Sequence, residues 1–185
     1  MTDSAEFEAF MRSYQDMVFT SAVRLLGNHA EAQDIAQEVF LKAYDRFAQL
    51  KQSPTVGGWL KTVTRNLCLN HLTRYRKRWR VFSDMGREDS EKDSPSFEEQ
   101  LAAPDHRESD ERTANQREIL QNALASLPPD QRIALALYHF EEIPYQEIAD
   151  QLKHSLSKVK TDIARGRETL RKRLEPRRTE LEIDQ

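Results

Sequence analysis

The chain has 185 residues, enough for one medium domain or two small ones, with a formal net charge of −3 at pH 7. Five glycines against 32% charged residues argue for helices over a β-sandwich, and the single cysteine, Cys68, excludes an internal disulfide and a multi-cysteine metal site. No apolar run approaches the roughly 18 residues of a membrane span, and the acidic N-terminus lacks a signal-peptide pattern, so the sequence predicts a cytoplasmic protein.

Asp3 and Glu6 are spaced as a capping box, and apolar residues follow at helical spacing from Phe7 and Phe10 through Tyr14 and Val18 to Leu25 and Leu26. Gly27 supplies a stop. Asn28 and Glu31 restart a helix whose apolar stripe is Ile35, Val39, Phe40, Ala43 and Phe47. Residues 52–58, with Pro54 and the pair Gly57-Gly58, read as a loop. A third helix is predicted over residues 59–78, with Leu60, Val63, Leu67 and Leu72 near one face. Residues 1–80 thus make a first unit of three or more helices. Residues 81–112 hold few large apolar groups and read as a flexible acidic linker. A second helical unit is expected over residues 113–176, with a tail at 177–185. Its first stripe, Ile119, Leu120, Ala123 and Leu124, ends at Pro128-Pro129, and helices are predicted over 130–140, 145–152 and 155–174. The predicted fold class is all-α: two small helical domains on a flexible acidic linker, the C-terminal one a helix-turn-helix.

Charge is partitioned along this chain. Residues 46–83 carry nine basic and no acidic side chains, residues 84–111 are net −8, and residues 153–178 are net +7. Aromatic and amide side chains sit within the first basic block: Trp59, Asn66, Asn70, Tyr75 and Trp79. Cations neutralise phosphates, while rings and amides stack on or hydrogen-bond bases, so nucleic acid is the expected partner.

Ile148, Ala149, Leu152, Val159 and Ile163 match the apolar positions of a helix-turn-helix, with Ala149 small where two helices cross. Ser155 suits the N-cap of the second helix. The start of that helix offers Ser157, Lys158, Lys160 and Thr161 to base edges, with Arg165, Arg167 and Arg171 further along for phosphates. Lys153 lies in the turn between the two helices, and is expected to adopt positive φ at a cost of about 1 kcal/mol. The five histidines show no metal spacing. No catalytic residue, metal, cofactor or small-molecule substrate is expected.

With both basic units in view, the chain resembles the extracytoplasmic-function group of bacterial sigma factors, two-domain subunits of RNA polymerase. The match covers about residues 5–80 and 115–174. Asp34, Gln37, Glu38 and Phe40 lie in a segment similar to the family helix that binds the clamp of the largest polymerase subunit. Trp59, Lys61, Arg65, Asn66, Asn70 and Arg74 lie in a segment similar to the one that melts and reads the −10 element. The resemblance implies that Trp59 stacks at the edge of the bubble, that Asn66 and Asn70 contact a flipped base, and that Lys61, Arg65 and Arg74 hold phosphates, with residues 52–58 as one wall of the pocket. Residues 127–132 and the helix-turn-helix look like the domain that reads the −35 element, which puts Ser155, Ser157, Lys158, Lys160, Thr161 and Arg165 at that DNA. Implied partners are core RNA polymerase through its clamp and flap, promoter DNA and an anti-sigma factor. The acidic linker resembles the segment that threads the polymerase channels.

Overall fold

A computed structural model of the chain describes residues 2–85 and 111–178. Residues 86–110 of the expected linker 81–112, and residues 179–185 of the expected tail 177–185, lie outside the described residues.

Helix α1 (Thr2–Leu26) ends at Gly27, whose φ of +65° permits the turn while its N–H donates to Val23 O at 2.8 Å. It is already helical at Thr2, ahead of the expected Asp3 cap. Helix α2 (His29–Asp45) is capped as its sequence requires: Asn28 Oδ1 accepts the Glu31 N–H at 3.1 Å. A short helix absent from the sequence reading, α3 (Phe47–Leu50), buries Phe47 and Leu50. Helix α4 (Val56–Met85) starts earlier than predicted, so Val56, Gly57 and Gly58 form its first turn rather than a pocket loop. Burial of Val56 in the core cluster pins that start and outweighs the helix penalty of two glycines, about 1 kcal/mol each. The same helix runs to Met85, past the expected boundary at residue 80. Its buried line is Leu60, Thr64 and Cys68, and the Thr64 hydroxyl is satisfied by donating to Leu60 O at 2.7 Å. The Cys68 thiol is pushed up to about 12 by burial and by the nearby Glu141 charge, so it is inert.

The second unit begins with α5 (Glu111–Ala125), followed by α6 (Pro129–His139), α7 (Tyr145–Leu152), α8 (Leu156–Leu174) and a 3₁₀ turn (Glu175–Arg177). Pro129 opens α6 at N1, where its missing N–H costs nothing. Six consecutive α6 residues from Arg132 to Leu137 are buried, because α8 covers one side of the helix and α1 the other. In the helix-turn-helix, Ile148, Ala149, Val159 and Ile163 are buried as their spacing predicts. Lys153 adopts φ 54° and ψ 41°, and the His154 N–H closes the turn on Ala149 O at 3.0 Å.

The buried apolar residues of the two units form one continuous cluster. Arg132 ties them polarly: its Nε and Nη2 donate to the terminal α1 carbonyls of Leu25 and Leu26 at 3.3 and 3.0 Å. Gly27 leaves the space this needs, since a Cβ there would lie 2.7 Å from Arg132 Nη1. No strand occurs among the described residues, and no helix among them is long and apolar enough to cross a membrane.

Candidate nucleic-acid and polymerase interfaces

Two lines of polar residues diverge on α4. At about 100° of rotation per residue, Trp59, Asn66, Asn70 and Arg74 fall in one stripe about 80° wide. Asn66, Asn70 and Arg74 are exposed, and Trp59 is half-buried, its ring lying against the core at the start of the stripe. Lys61 and Arg65 leave from a different side. Arg65 is half-buried, with Nη1 3.9 Å from Glu141 Oε2 in the second unit. The six residues expected to form one strand-binding face therefore divide four and two.

Helix α8 sorts its expected readers in the same way. Ser157, Lys160, Thr161 and Arg165 are exposed. The Ser155 hydroxyl is used as the N-cap, accepting the Lys158 N–H at 3.1 Å. Lys158 is ion-paired at the surface, its side chain 40% exposed: Nζ donates to Asp130 Oδ2 at 2.9 Å and to Asp162 Oδ2 at 2.6 Å. Burial works against its charge, but those two hydrogen bonds outweigh it and raise the Lys158 pKa. Burial also pushes the Asp130 carboxyl up, and the Lys158 hydrogen bond with the Arg76 and Lys158 charges brings it below its usual range. Lys158 is thus held in an ion cluster, which it would have to leave to reach a base edge.

On α2, Asp34, Gln37 and Glu38 are exposed, as expected of a docking face. Phe40 is 7% exposed and belongs to the core, which corrects its assignment to that face. The helical repeat that puts Phe40 in line with Ile35 and Val39 turns it inward. The apolar group on the acidic side is its neighbour Leu41, 69% exposed, with Tyr44 at 57%. Sequence reasoning left Leu41 out of the apolar stripe and gave it no role. Its phase, one step off the buried line, was the available signal.

Comparisons with known proteins show the family. The family described as Sigma-70 region 2 matches residues 10–80, and the one described as Sigma-70, region 4 matches residues 117–170. The chain belongs to the sigma-70 family of RNA polymerase sigma factors. It is 34% identical to RNA polymerase sigma-H factor of Pseudomonas aeruginosa over 94% of this chain and 89% of that protein. It is 35% identical to ECF RNA polymerase sigma factor SigE of Mycolicibacterium smegmatis, over 89% of this chain and 60% of that one. A solved structure of sigma factor RpoE with anti-sigma factor NepR from Bartonella quintana is 22% identical, covering 92% of this chain and 97% of that one, with a TM-score of 0.48. In this sigma factor the region 2 match ends within α4, and the region 4 match holds α6, α7 and most of α8. Among the described residues no group of His, Cys, Asp and Glu could hold a metal ion.

Proposed function

We propose that this sigma factor acts in the cytoplasm as the promoter-recognising subunit of RNA polymerase, with no cofactor and no chemistry of its own. The observation that carries the reading is the α4 stripe of Trp59, Asn66, Asn70 and Arg74 within the sigma-70 region 2 match. A ring, two amides and a cation in one line suit a non-template strand: the ring stacks a base, the amides bond a flipped one, and the guanidinium takes a phosphate. A stacked base contributes about 1–3 kcal/mol, comparable with the few kcal/mol needed to unstack it. One or two captured bases can therefore tip melting once polymerase holds the duplex. Lys61 and Arg65 would join as phosphate contacts after leaving Glu141.

The unit ending near Met85 would serve polymerase and the −10 element, and the unit starting near Glu111 the −35 element. Asp34, Gln37 and Glu38, with Leu41 among them, form the face for the polymerase clamp. Ser157, Lys160, Thr161 and Arg165 face the −35 duplex. An anti-sigma factor is the further partner that family membership supports. Run-off transcription with core polymerase tests the whole reading. The Asn66→Ala variant is expected to lose most activity on duplex promoters and much less on pre-melted ones. Equal losses on both templates would remove the melting role.

A further inference from the structure

One acidic residue stands on the reading side of α8. At about 100° per residue, Ser157, Lys160, Thr161 and Arg165 share an exposed side, opposite the buried Val159 and Ile163. Glu168 falls on that side too, about 20° from both Ser157 and Thr161 and about 10 Å further along the axis than Thr161. Arg171 and Lys172 lie to either side of it, and all three side chains are exposed. Glu168 holds both cations. Arg171 donates to it twice, through Nε to Oε2 at 3.2 Å and through Nη2 to Oε1 at 3.0 Å, and Lys172 Nζ lies 3.4 Å from Oε1. The Arg171 hydrogen bond, and then that of Lys172, hold the Glu168 carboxyl below its usual range, so it is charged wherever the protein meets DNA. Exposed pairs of this kind contribute little to stability, so the fold does not account for a carboxylate at this place.

We propose that Glu168 limits the grip of this sigma factor on duplex DNA: it takes the contacts that Arg171 and Lys172 would give to phosphates, and it sets its own charge against the backbone, so that −35 binding is left to Ser157, Lys160, Thr161 and Arg165. The inference rests on the reading that α8 faces the −35 duplex. A recognition helix puts its first turns on base edges, and the major groove is only about 12 Å wide. Residues about 10 Å beyond Thr161 therefore stand near the groove rim, where the phosphates are. A carboxylate offers a guanidinium the same charge and acceptor geometry as a phosphate, so the two compete for Arg171. Phosphate contacts add affinity on every sequence alike. Occupancy distinguishes two sequences only while the weaker one is unsaturated, so a uniform gain in affinity would let mismatched −35 sites fill. Glu168 keeps the end of the recognition helix from supplying that gain.

The test uses the full chain assembled with core polymerase. Its probes are two fluorescent duplexes, one carrying a −35 segment selected from a randomised promoter library and one with that segment shuffled. Anisotropy titrations over about 50–200 mM salt give affinity and salt slope. Glu168→Gln should bind both duplexes about tenfold more tightly, with a slope steeper by roughly 1.8, about 0.9 for each freed cation. Adding Arg171→Ala and Lys172→Ala to Glu168→Gln should return the slope to that of the parent. Glu168→Asp, which keeps the charge, should bind as the parent does. Glu118→Gln, the same charge change at an exposed position on α5, should alter neither readout. Unchanged affinity and slope in Glu168→Gln would overturn the proposal. Weaker binding would overturn it as well, because Glu168 would then be holding Arg171 in place for a phosphate. A gain on the selected duplex alone would make Glu168 a base contact, and an equal gain from Glu118→Gln would reduce the effect to net charge; either overturns the proposal. Lys160→Ala should weaken binding to the selected duplex. If it does not, the reading of α8 itself falls, and that failure is separate from any result at Glu168.

Discussion

Lys153 shows how much a single position can be read in advance. The turn between α7 and α8 needs a left-handed residue, the chain supplies lysine there, and lysine takes φ 54°. Its Cβ crowds the following carbonyl in that region, at a cost of about 1 kcal/mol. Its side chain is exposed. Lys153→Gly should therefore raise stability by about 0.5–1 kcal/mol, which is a rise of roughly 1–4 °C in Tm for a chain of this size. Thermal melts followed by circular dichroism check this, and a lower Tm would mean that the lysine side chain contributes something the turn geometry does not reveal. Lys158 is the opposite case. It occupies the right place on a recognition helix, and nothing local indicates that Asp130, 28 residues earlier, holds it. Residue type and spacing give candidates, but a partner from elsewhere in the chain decides which of them is free.

At the scale of the element, periodicity was reliable for burial and less so for ends. The Asn28 cap, the Gly27 stop and both helices of the helix-turn-helix follow from local chemistry, and they stand where the sequence puts them. The start of α4 did not, because two glycines read as a loop until Val56 is seen packed in the core. Helix α2 yields a prediction that separates core from surface. Phe40→Ala should cost about 3–5 kcal/mol of stability through the cavity it leaves. Leu41→Ala should change stability by less than about 0.5 kcal/mol and weaken core-polymerase binding roughly tenfold. Denaturant melts and fluorescence titration with core polymerase distinguish the two. If Leu41→Ala binds polymerase normally, the acidic stripe works without an apolar contact.

At the scale of the molecule, two helical units expected on a flexible acidic linker share a core and a line of ion pairs. Their joint stability should depend on pH through His139. Burial first, then the Arg167 charge, lowers its pKa below the usual value of 6.5, and its Nε2 accepts the Arg167 Nε–H at 3.0 Å. A histidine whose folded pKa is depressed contributes stability above the unfolded value, and that contribution is lost as pH falls through the folded one. His154 is shifted the same way, by burial and then by Lys158. Melting temperature should therefore fall as the pH is lowered from about 7.5 to about 5.5, and His139→Gln should flatten the curve. An unchanged slope would clear His139 of that role. The sequence by itself determined the helical class and the helix-turn-helix, because caps, stops and apolar periodicity are local and repeat every turn, while the family was legible only as a resemblance carried by the motif residues of α2, α4 and the helix-turn-helix. Only the tertiary structure decided which cations are free. Arg65, Arg76, Arg132 and Lys158 meet their partners across tens of residues, and an ion pair between distant segments leaves no period in the chain.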